Sequence, residues 1–211
     1  MLFKDRKEAG RILAARLSAY AGRGDVLVLG LPRGGVPVAA EIARALGAPL
    51  DVFVVRKIGA PQQPELALGA IASGDVRVVN WYAVDALHIS PETFNEIVAR
   101  ERTEIARREL AYRDGRPLPS PNGKTVILVD DGLATGATML AAVQALRQLG
   151  PARVVVAVPV AAADTCAELK REVDDVVCAA TPEPFYGVGM WYQDFTQTND
   201  EEVRQLLNSP T

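Results

Sequence analysis

Val126-Ile127-Leu128-Val129-Asp130-Asp131-Gly132-Leu133-Ala134-Thr135-Gly136-Ala137-Thr138 is the stretch that decides the fold. An apolar run meets two adjacent carboxylates, then a loop of small and hydroxyl residues, then a helical pattern from Met139. Carboxylates at the carboxyl end of a buried strand face the crevice where open α/β sheets take ligands. The Gly, Ala and Thr loop lets backbone N–H groups and hydroxyls close around an anion at a helix N-terminus.

Outward from this stretch, strands alternate with helices. Upstream, residues 5–20 hold Ala9, Ile12, Leu13, Arg16, Leu17 and Tyr20 at helical spacing. Val26-Leu27-Val28-Leu29 reads as a short apolar strand and Leu31-Pro32-Arg33-Gly34-Gly35 as a tight turn. Val36 to Leu46 is a helix that tolerates Pro37 in its first turn and stops at Gly47. Val52-Phe53-Val54-Val55 is the next strand, ending in Arg56-Lys57. Downstream, Val154 to Val158 is a strand, 162–170 a helix, and Val173 to Ala179 contains a last strand. This order predicts an α/β fold: an open, mainly parallel twisted sheet flanked by helices, with right-handed crossovers.

Two segments interrupt the alternation. Gly59, Pro61, Pro64, Gly69 and Gly74 punctuate residues 58–75, which read as a flexible loop. Within it, Leu66 to Ile71 could form a short strand and a hairpin with Val76-Arg77-Val78-Val79. Ser90-Pro91-Glu92 has the signature of a helix start, and the inserted helix runs over about 91–112. Glu96/Arg100, Glu104/Arg108 and Glu109/Arg113 lie at i,i+4 spacing, and Phe94, Val98, Ile105 and Tyr112 form an apolar stripe. That describes a solvated helix packed on one side, or a subunit contact. Arg116 to Gly123 is a connector.

Composition narrows the function. The 211 residues suit one compact domain, and the 49% of apolar residues suffice for a core. A net charge of −3 supplies no basic field for nucleic acid. No apolar run is long enough to span a bilayer. Charges in residues 1–8 stand where a signal peptide needs apolar residues, so a cytoplasmic location is expected. Cys166 and Cys178 lack metal-type spacing and are expected to be free buried thiols, not a disulfide. His88 is the only histidine, which argues against histidine-based triads and metal sites.

The acid pair and loop point to a specific ligand chemistry. Ionised carboxylates only accept hydrogen bonds, and a vicinal diol offers two donors, so Asp130 and Asp131 suit ribose O2 and O3. Adjacent strand residues point to opposite faces, but at a strand end both can reach one ligand. Ala134, Thr135, Gly136, Ala137 and Thr138 form a cradle for a single phosphate, favoured by the following helix dipole. A triphosphate loop is ruled out: three residues separate Gly132 from Gly136, and Ala137 stands where that loop needs lysine. A plain strand-to-helix turn explains the Gly and Thr but not the two acids. The pattern describes a ribose 5-phosphate site.

This stretch resembles the phosphoribosyl pyrophosphate signature of the type I phosphoribosyltransferases. Leu-Pro-Arg-Gly-Gly-Val-Pro-Val-Ala, Val-Arg-Lys-Ile-Gly-Ala-Pro, Pro-Glu-Leu-Ala-Leu-Gly-Ala and Val-Gly-Met-Trp-Tyr-Gln-Asp-Phe extend the resemblance to a branch of that superfamily with no established acceptor base. The resemblance implies that Arg33, Gly34 and Gly35 grip pyrophosphate, with a non-proline cis peptide near Pro32 to Gly34. It implies that Lys57 contacts pyrophosphate, although Arg56 and Lys57 also read as solvated charges closing a strand. Residues 58–75 match the superfamily's catalytic loop, or are surface ornament. Residues 181–198 match the small C-terminal hood that reads the acceptor base. Phe185, Tyr186, Trp191, Tyr192 and Phe195 crowd that segment. Either rings such as Phe185 and Trp191 stack on a base, or the cluster is an aromatic core anchoring the tail.

The resemblance further implies Mg²⁺ bridging pyrophosphate and ribose oxygens with few protein ligands, phosphoribosyl pyrophosphate and a small acceptor base as partners, and a possible homodimer. The segment is distantly similar to the hood of the 6-oxopurine enzymes. Those enzymes carry an acid four residues after the first of the pair, where this chain has Ala134. A proton-accepting role at that position is absent. The second reading is a non-catalytic sensor of the donor or of a nucleotide; a third is a hydrolase of phosphoribosyl compounds.

Overall fold

The computed structural model describes residues 2–61 and 63–209, and all side chains among them except those of Pro64 and Glu65. Its centre is a parallel sheet of five strands: β1 (Val26–Gly30), β2 (Leu50–Val52), β6 (Thr125–Val129), β7 (Arg153–Val160) and β8 (Asp175–Ala180). Their spatial order is β2-β1-β6-β7-β8, so the strand of the opening motif lies in the middle. β1 and β6 run in register, Gly30 opposite Val129, and both end at the same edge. Every residue of these two strands is buried. Such strands read as unbroken apolar runs because helices cover both faces.

One face carries α1 (Arg6–Arg16) and α2 (Gly35–Leu46), which bury Leu13, Val38 and Ile42 against Val28, Ile127 and Val155. The other carries α5 (Ala137–Arg147) and α6 (Ala163–Leu169), with Met139, Val143 and Leu146 against Leu27, Leu128 and Val156. Asp5 caps α1 by accepting from Glu8 N–H at 2.8 Å. Gly47, left-handed at φ 63°, closes α2 as its position after Leu46 predicts. α5 begins two residues earlier than the apolar periodicity suggests, so Ala137 and Thr138 form its first turn.

A second, antiparallel sheet is built from β3 (Val55–Ala60), β4 (Gln63–Ala72) and β5 (Val76–Val79). The hairpin expected around Asp75 is there, with Ala72 opposite Val76. The rest of the 58–75 segment is also mostly strand. Gln62, inside that segment, lies outside the described residues. The strand expected over 52–55 is divided: β2 ends at Val52, Phe53 and Val54 are buried connectors, and Val55 starts the second sheet. Apolar residues continue across the break because both sheets bury them, so the sequence shows one run where the chain changes sheets.

Behind the second sheet lie α3 (Trp81–Ala86), α4 (Pro91–Arg113) and α7 (Asp200–Asn208). Ser90 caps α4, and Phe94, Val98, Ile105 and Tyr112 are buried in a core shared with Ile58, Leu68 and Val203. The Glu104–Arg108 and Glu109–Arg113 pairs form at 2.7 and 2.8 Å. Arg100 instead pairs with its neighbour Glu101, a buried acid that Arg56 also holds at 2.8 Å.

The cysteine expectation is corrected. Cys166 on α6 and Cys178 on β8 are disulfide-bonded. The β7–α6–β8 crossover lays the helix along the neighbouring strand, which brings the two sulfurs together; nothing in their spacing shows that proximity.

Candidate functional site

The candidate site forms where β1 and β6 end side by side. The turn after β1 folds onto the acids after β6, with Leu31 N–H donating to the Val129 carbonyl at 2.8 Å. Gly35 packs directly against that main chain: a Cβ there would meet Val129 O at 2.5 Å and Asp130 Cα at 2.8 Å. Gly34 faces the Asp131 carboxylate so closely that a Cβ would collide with Oδ2. These glycines are required by close approach. The peptide joining Pro32 to Arg33 is cis, within the span where the resemblance placed one.

The two acids differ in their surroundings. Asp130 is half-buried, and its Oδ1 accepts the Asp131 N–H at 2.9 Å. Burial, and then the adjacent charge of Asp131, push the Asp130 carboxyl well above the ordinary aspartate range. Asp131 Oδ2 is gripped by Arg6, with Nε at 2.9 Å and a terminal nitrogen at 2.8 Å. Burial also raises the Asp131 carboxyl, and Arg6 opposes that rise. Asp130 Oδ2 and Asp131 Oδ1 accept no hydrogen bond among the described residues, and neither is sealed from solvent.

Past Gly132 the chain touches β7, Leu133 N–H donating to Val160 O at 2.9 Å. Residues 134, 135, 137 and 138 are exposed. Gly136 takes φ 70° as the residue before α5, a conformation that favours glycine. The first-turn amides of α5 have no partner inside the helix. Thr165 on α6 holds this loop from behind: its hydroxyl donates to Ala134 O at 2.8 Å, and its methyl lies under Gly136.

Other expected residues stand further out. Arg33 leans toward α7, 3.7 Å from Asp200, whose carboxylate also accepts the Tyr112 hydroxyl at 2.9 Å. Lys57 does not end a strand of the parallel sheet; it lies within β3 and is exposed. It lines a groove of about 570 Å³ with Gly69, Asn80, Ala137 and Leu140, which reaches α5 but not the acids. The structure therefore brings Gly34, Gly35, Asp130 and Asp131 into contact, places residues 134–138 directly after them, and leaves Arg33 beside α7 and Lys57 in the groove beside α5.

The aromatic segment is divided. Tyr192 is buried, stacks on Phe195 at 5.0 Å and tilts against Phe3 at 5.5 Å, as in an anchoring core. Its hydroxyl donates to the Asp131 carbonyl at 2.6 Å. Phe185 and Trp191 are partly buried against the α1–α2 core, and Trp191 Nε1 is buried with no partner among the described residues. Val188, in the short turn Val188–Trp191, packs over Gly132. The segment thus sits directly above the acid pair.

Arg6 is the residue that sequence reasoning passed over. It sits among charges near the N-terminus, and its partner is 125 positions away. One signal was available: with Asp5 as cap, Arg6 occupies the first position of a helix, where the dipole disfavours a cation.

The phosphoribosyl transferase domain profile matches residues 3–188. The chain belongs to the phosphoribosyl transferase family. Two Mycobacterium tuberculosis relatives, "Putative phosphoribosyl transferase MT0597" and "Putative phosphoribosyl transferase Rv0571c", are each 48% identical over 207 residues. The match covers 98% of this chain but 46% of each relative, so the chain spans about half their length. The crystal structure of TT1426 from Thermus thermophilus is 45% identical, superposes with a TM-score of 0.86, and is covered to 98% on both sides. AQ2163 from Aquifex aeolicus, at 14% identity and TM-score 0.51, shares the fold over 97% of this chain and 86% of its own. The phosphoribosyl transferase family is one of transferase enzymes.

Proposed function

We propose that the chain is a Mg²⁺-dependent phosphoribosyltransferase. It moves ribose 5-phosphate from phosphoribosyl pyrophosphate to a nitrogen of a heterocyclic acceptor and releases pyrophosphate. The observation that carries this reading is the contact between the Gly34–Gly35 turn and the Asp130–Asp131 pair, directly ahead of an exposed small-residue loop on a helix N-terminus. A pyrophosphate grip, a diol acceptor and a phosphate cradle then line one crevice.

Asp130 explains why a diol belongs there. Its carboxylate is partly desolvated without a cation of its own, and a ribose hydroxyl supplies the donor that its Oδ2 lacks, the second hydroxyl going to the free oxygen of Asp131. The amides and hydroxyls of residues 135–138 take the 5-phosphate. In the transfer the C1–O bond breaks, its electron pair leaves with pyrophosphate, and the acceptor nitrogen's lone pair forms the new C1–N bond. Positive charge grows on the ribose near Asp130 and Asp131. Negative charge grows on pyrophosphate, where the amides of Gly34 and Gly35, the Arg33 guanidinium and Lys57 stabilise it. Arg33 must leave Asp200 to do so, and Lys57 must be carried inward by the β3–β4 hairpin. Catalysis is positioning and electrostatics.

Among the described residues no group of three His, Cys, Asp or Glu side chains could hold a metal. Mg²⁺ would then have few protein ligands, and when bound it would neutralise pyrophosphate charge. Val188, Phe185 and Trp191 border the acceptor side. Ala134 offers no acid to the acceptor, which argues against a proton-accepting role at that position. A cytoplasmic location and a homodimer belong to this proposal, the homodimer on the family resemblance alone.

The test is radiolabelled phosphoribosyl pyrophosphate with Mg²⁺ and a panel of nitrogen heterocycles. Acceptor-dependent pyrophosphate release supports transfer. Donor binding without release across the panel would favour a sensor, and release without any acceptor a hydrolase.

A further inference from the structure

We infer that Arg6 is a positioning residue of the ribose site: it fixes the Asp131 carboxylate for the sugar hydroxyls and ties the C-terminal hood to that carboxylate. The inference rests on the reading of Asp130 and Asp131 given above.

One guanidinium makes three connections. Nε and one terminal nitrogen hold Asp131 Oδ2 at 2.9 and 2.8 Å. The other terminal nitrogen donates to the Thr196 carbonyl of the hood at 2.8 Å. The plane lies over the Phe195 ring, Cζ 4.0 Å from its centroid. Little of it meets water: the Arg6 and Asp131 side chains are 11% and 16% exposed. A charge-assisted pair at that depth is stronger than a surface bridge and fixes geometry. Only Oδ2 is used, so Oδ1 stays available to a ligand. Asp130 on the same strand end, the Tyr192 hydroxyl on the Asp131 carbonyl and Asp194 near Arg6 are the other titratable groups facing this pair.

The local fold delivers Arg6 to this point. Phe3 N–H donates to Trp191 O, and Gln193 N–H donates to Phe3 O, both at 2.8 Å. Asp194 N–H donates to Lys4 O at 2.9 Å. The N-terminal segment is thus laced to the hood, and α1 starts immediately after it, beneath the acids. Gly34 completes the arrangement, because any side chain there would strike the oxygen that Arg6 holds. A salt bridge that merely joined α1 to the sheet would need neither the Thr196 contact nor the glycine.

The experiment compares two ligands on wild type, Arg6→Gln and Arg6→Lys by titration calorimetry. Phosphoribosyl pyrophosphate uses the ribose site; inorganic pyrophosphate does not. Arg6→Gln should weaken phosphoribosyl pyrophosphate roughly 10–100-fold, with pyrophosphate affinity within about twofold of wild type. Arg6→Lys restores the charge and should recover part of the loss. Asp131→Asn combined with Arg6→Gln should lose little beyond Asp131→Asn alone, since both act through one carboxylate. Equal weakening of both ligands, or none, would overturn the role of Arg6 while leaving the ribose site standing. A wild-type protein that binds pyrophosphate but not the sugar donor would overturn the ribose reading and Arg6 with it.

Discussion

Replacing Gly35 with alanine tests the join between the two halves of the site. The added methyl would sit 2.5 Å from Val129 O and 2.8 Å from Asp130 Cα. An ordinary carbon–oxygen contact needs about 3.3 Å, so the turn must retreat from β6 by roughly 0.8 Å. Both obstacles are main chain and cannot rotate away. Overpacking of this kind costs about 1–3 kcal/mol, and alanine in the first turn of α2 returns at most about 1 kcal/mol of helix propensity. With two main-chain atoms in the way the upper part of that range, about 2–3 kcal/mol, applies, and the net loss of about 1–2 kcal/mol corresponds to a fall in Tm of about 2–8 °C for a chain of this size. Thermal denaturation followed by circular dichroism reads it, with Gly24→Ala as control, since nothing lies within 4 Å of a Cβ there. The variant should also lose affinity for pyrophosphate, because the retreating turn carries the Gly34 and Gly35 amides. A Gly35→Ala protein melting within about 1 °C of wild type would refute the packing argument.

Asp130→Asn should stabilise the ligand-free protein at neutral pH while impairing donor binding. The folded state raises this carboxyl above its unfolded value, so it holds more protons than the unfolded chain between those two values. Stability falls as pH rises through that window, and the full cost is present above it. Melting curves from pH 4 to 8 should show the asparagine advantage growing with pH; a constant advantage, or a loss at pH 8, contradicts it. Thr165→Val leaves the Ala134 carbonyl without its donor, so stability should fall by about 0.5–1.5 kcal/mol and binding of inorganic phosphate weaken, with Thr165→Ser close to wild type in denaturant titration. Tyr112→Phe removes the hydroxyl that shares Asp200 with Arg33; since burial and Asp200 push that phenol up to about 12, its effect on Tm should be the same at pH 6 and pH 9.

The sequence is most readable where the physics is short-range. Val126 to Thr138 shows a strand, a ligand edge and a helix start because each signal lies within a few residues of the next. The helix from Pro91 was legible through Ser90 and its stripe. What depends on tertiary approach was hidden. Phe53 and Val54 look like strand whichever sheet buries them. α7, by contrast, carries readable signals that sequence reasoning passed over: Asn199 as its cap, and Val203, Leu206 and Leu207 at helical spacing. The Arg6–Asp131 clamp and the Cys166–Cys178 bond join segments whose closeness the crossovers create. Tyr192 and Phe195 were visible as aromatics, but only Phe3 and Arg6 explain their stacking.

A crystal of the wild-type protein soaked with phosphoribosyl pyrophosphate and Mg²⁺ tests the central claim most directly. The account predicts the 5-phosphate on the amides of residues 135–138, the ribose hydroxyls on Asp130 and on the free oxygen of Asp131, and Arg6 unmoved on the other. A sugar bound elsewhere, or those two carboxylates turned away from it, would contradict the account.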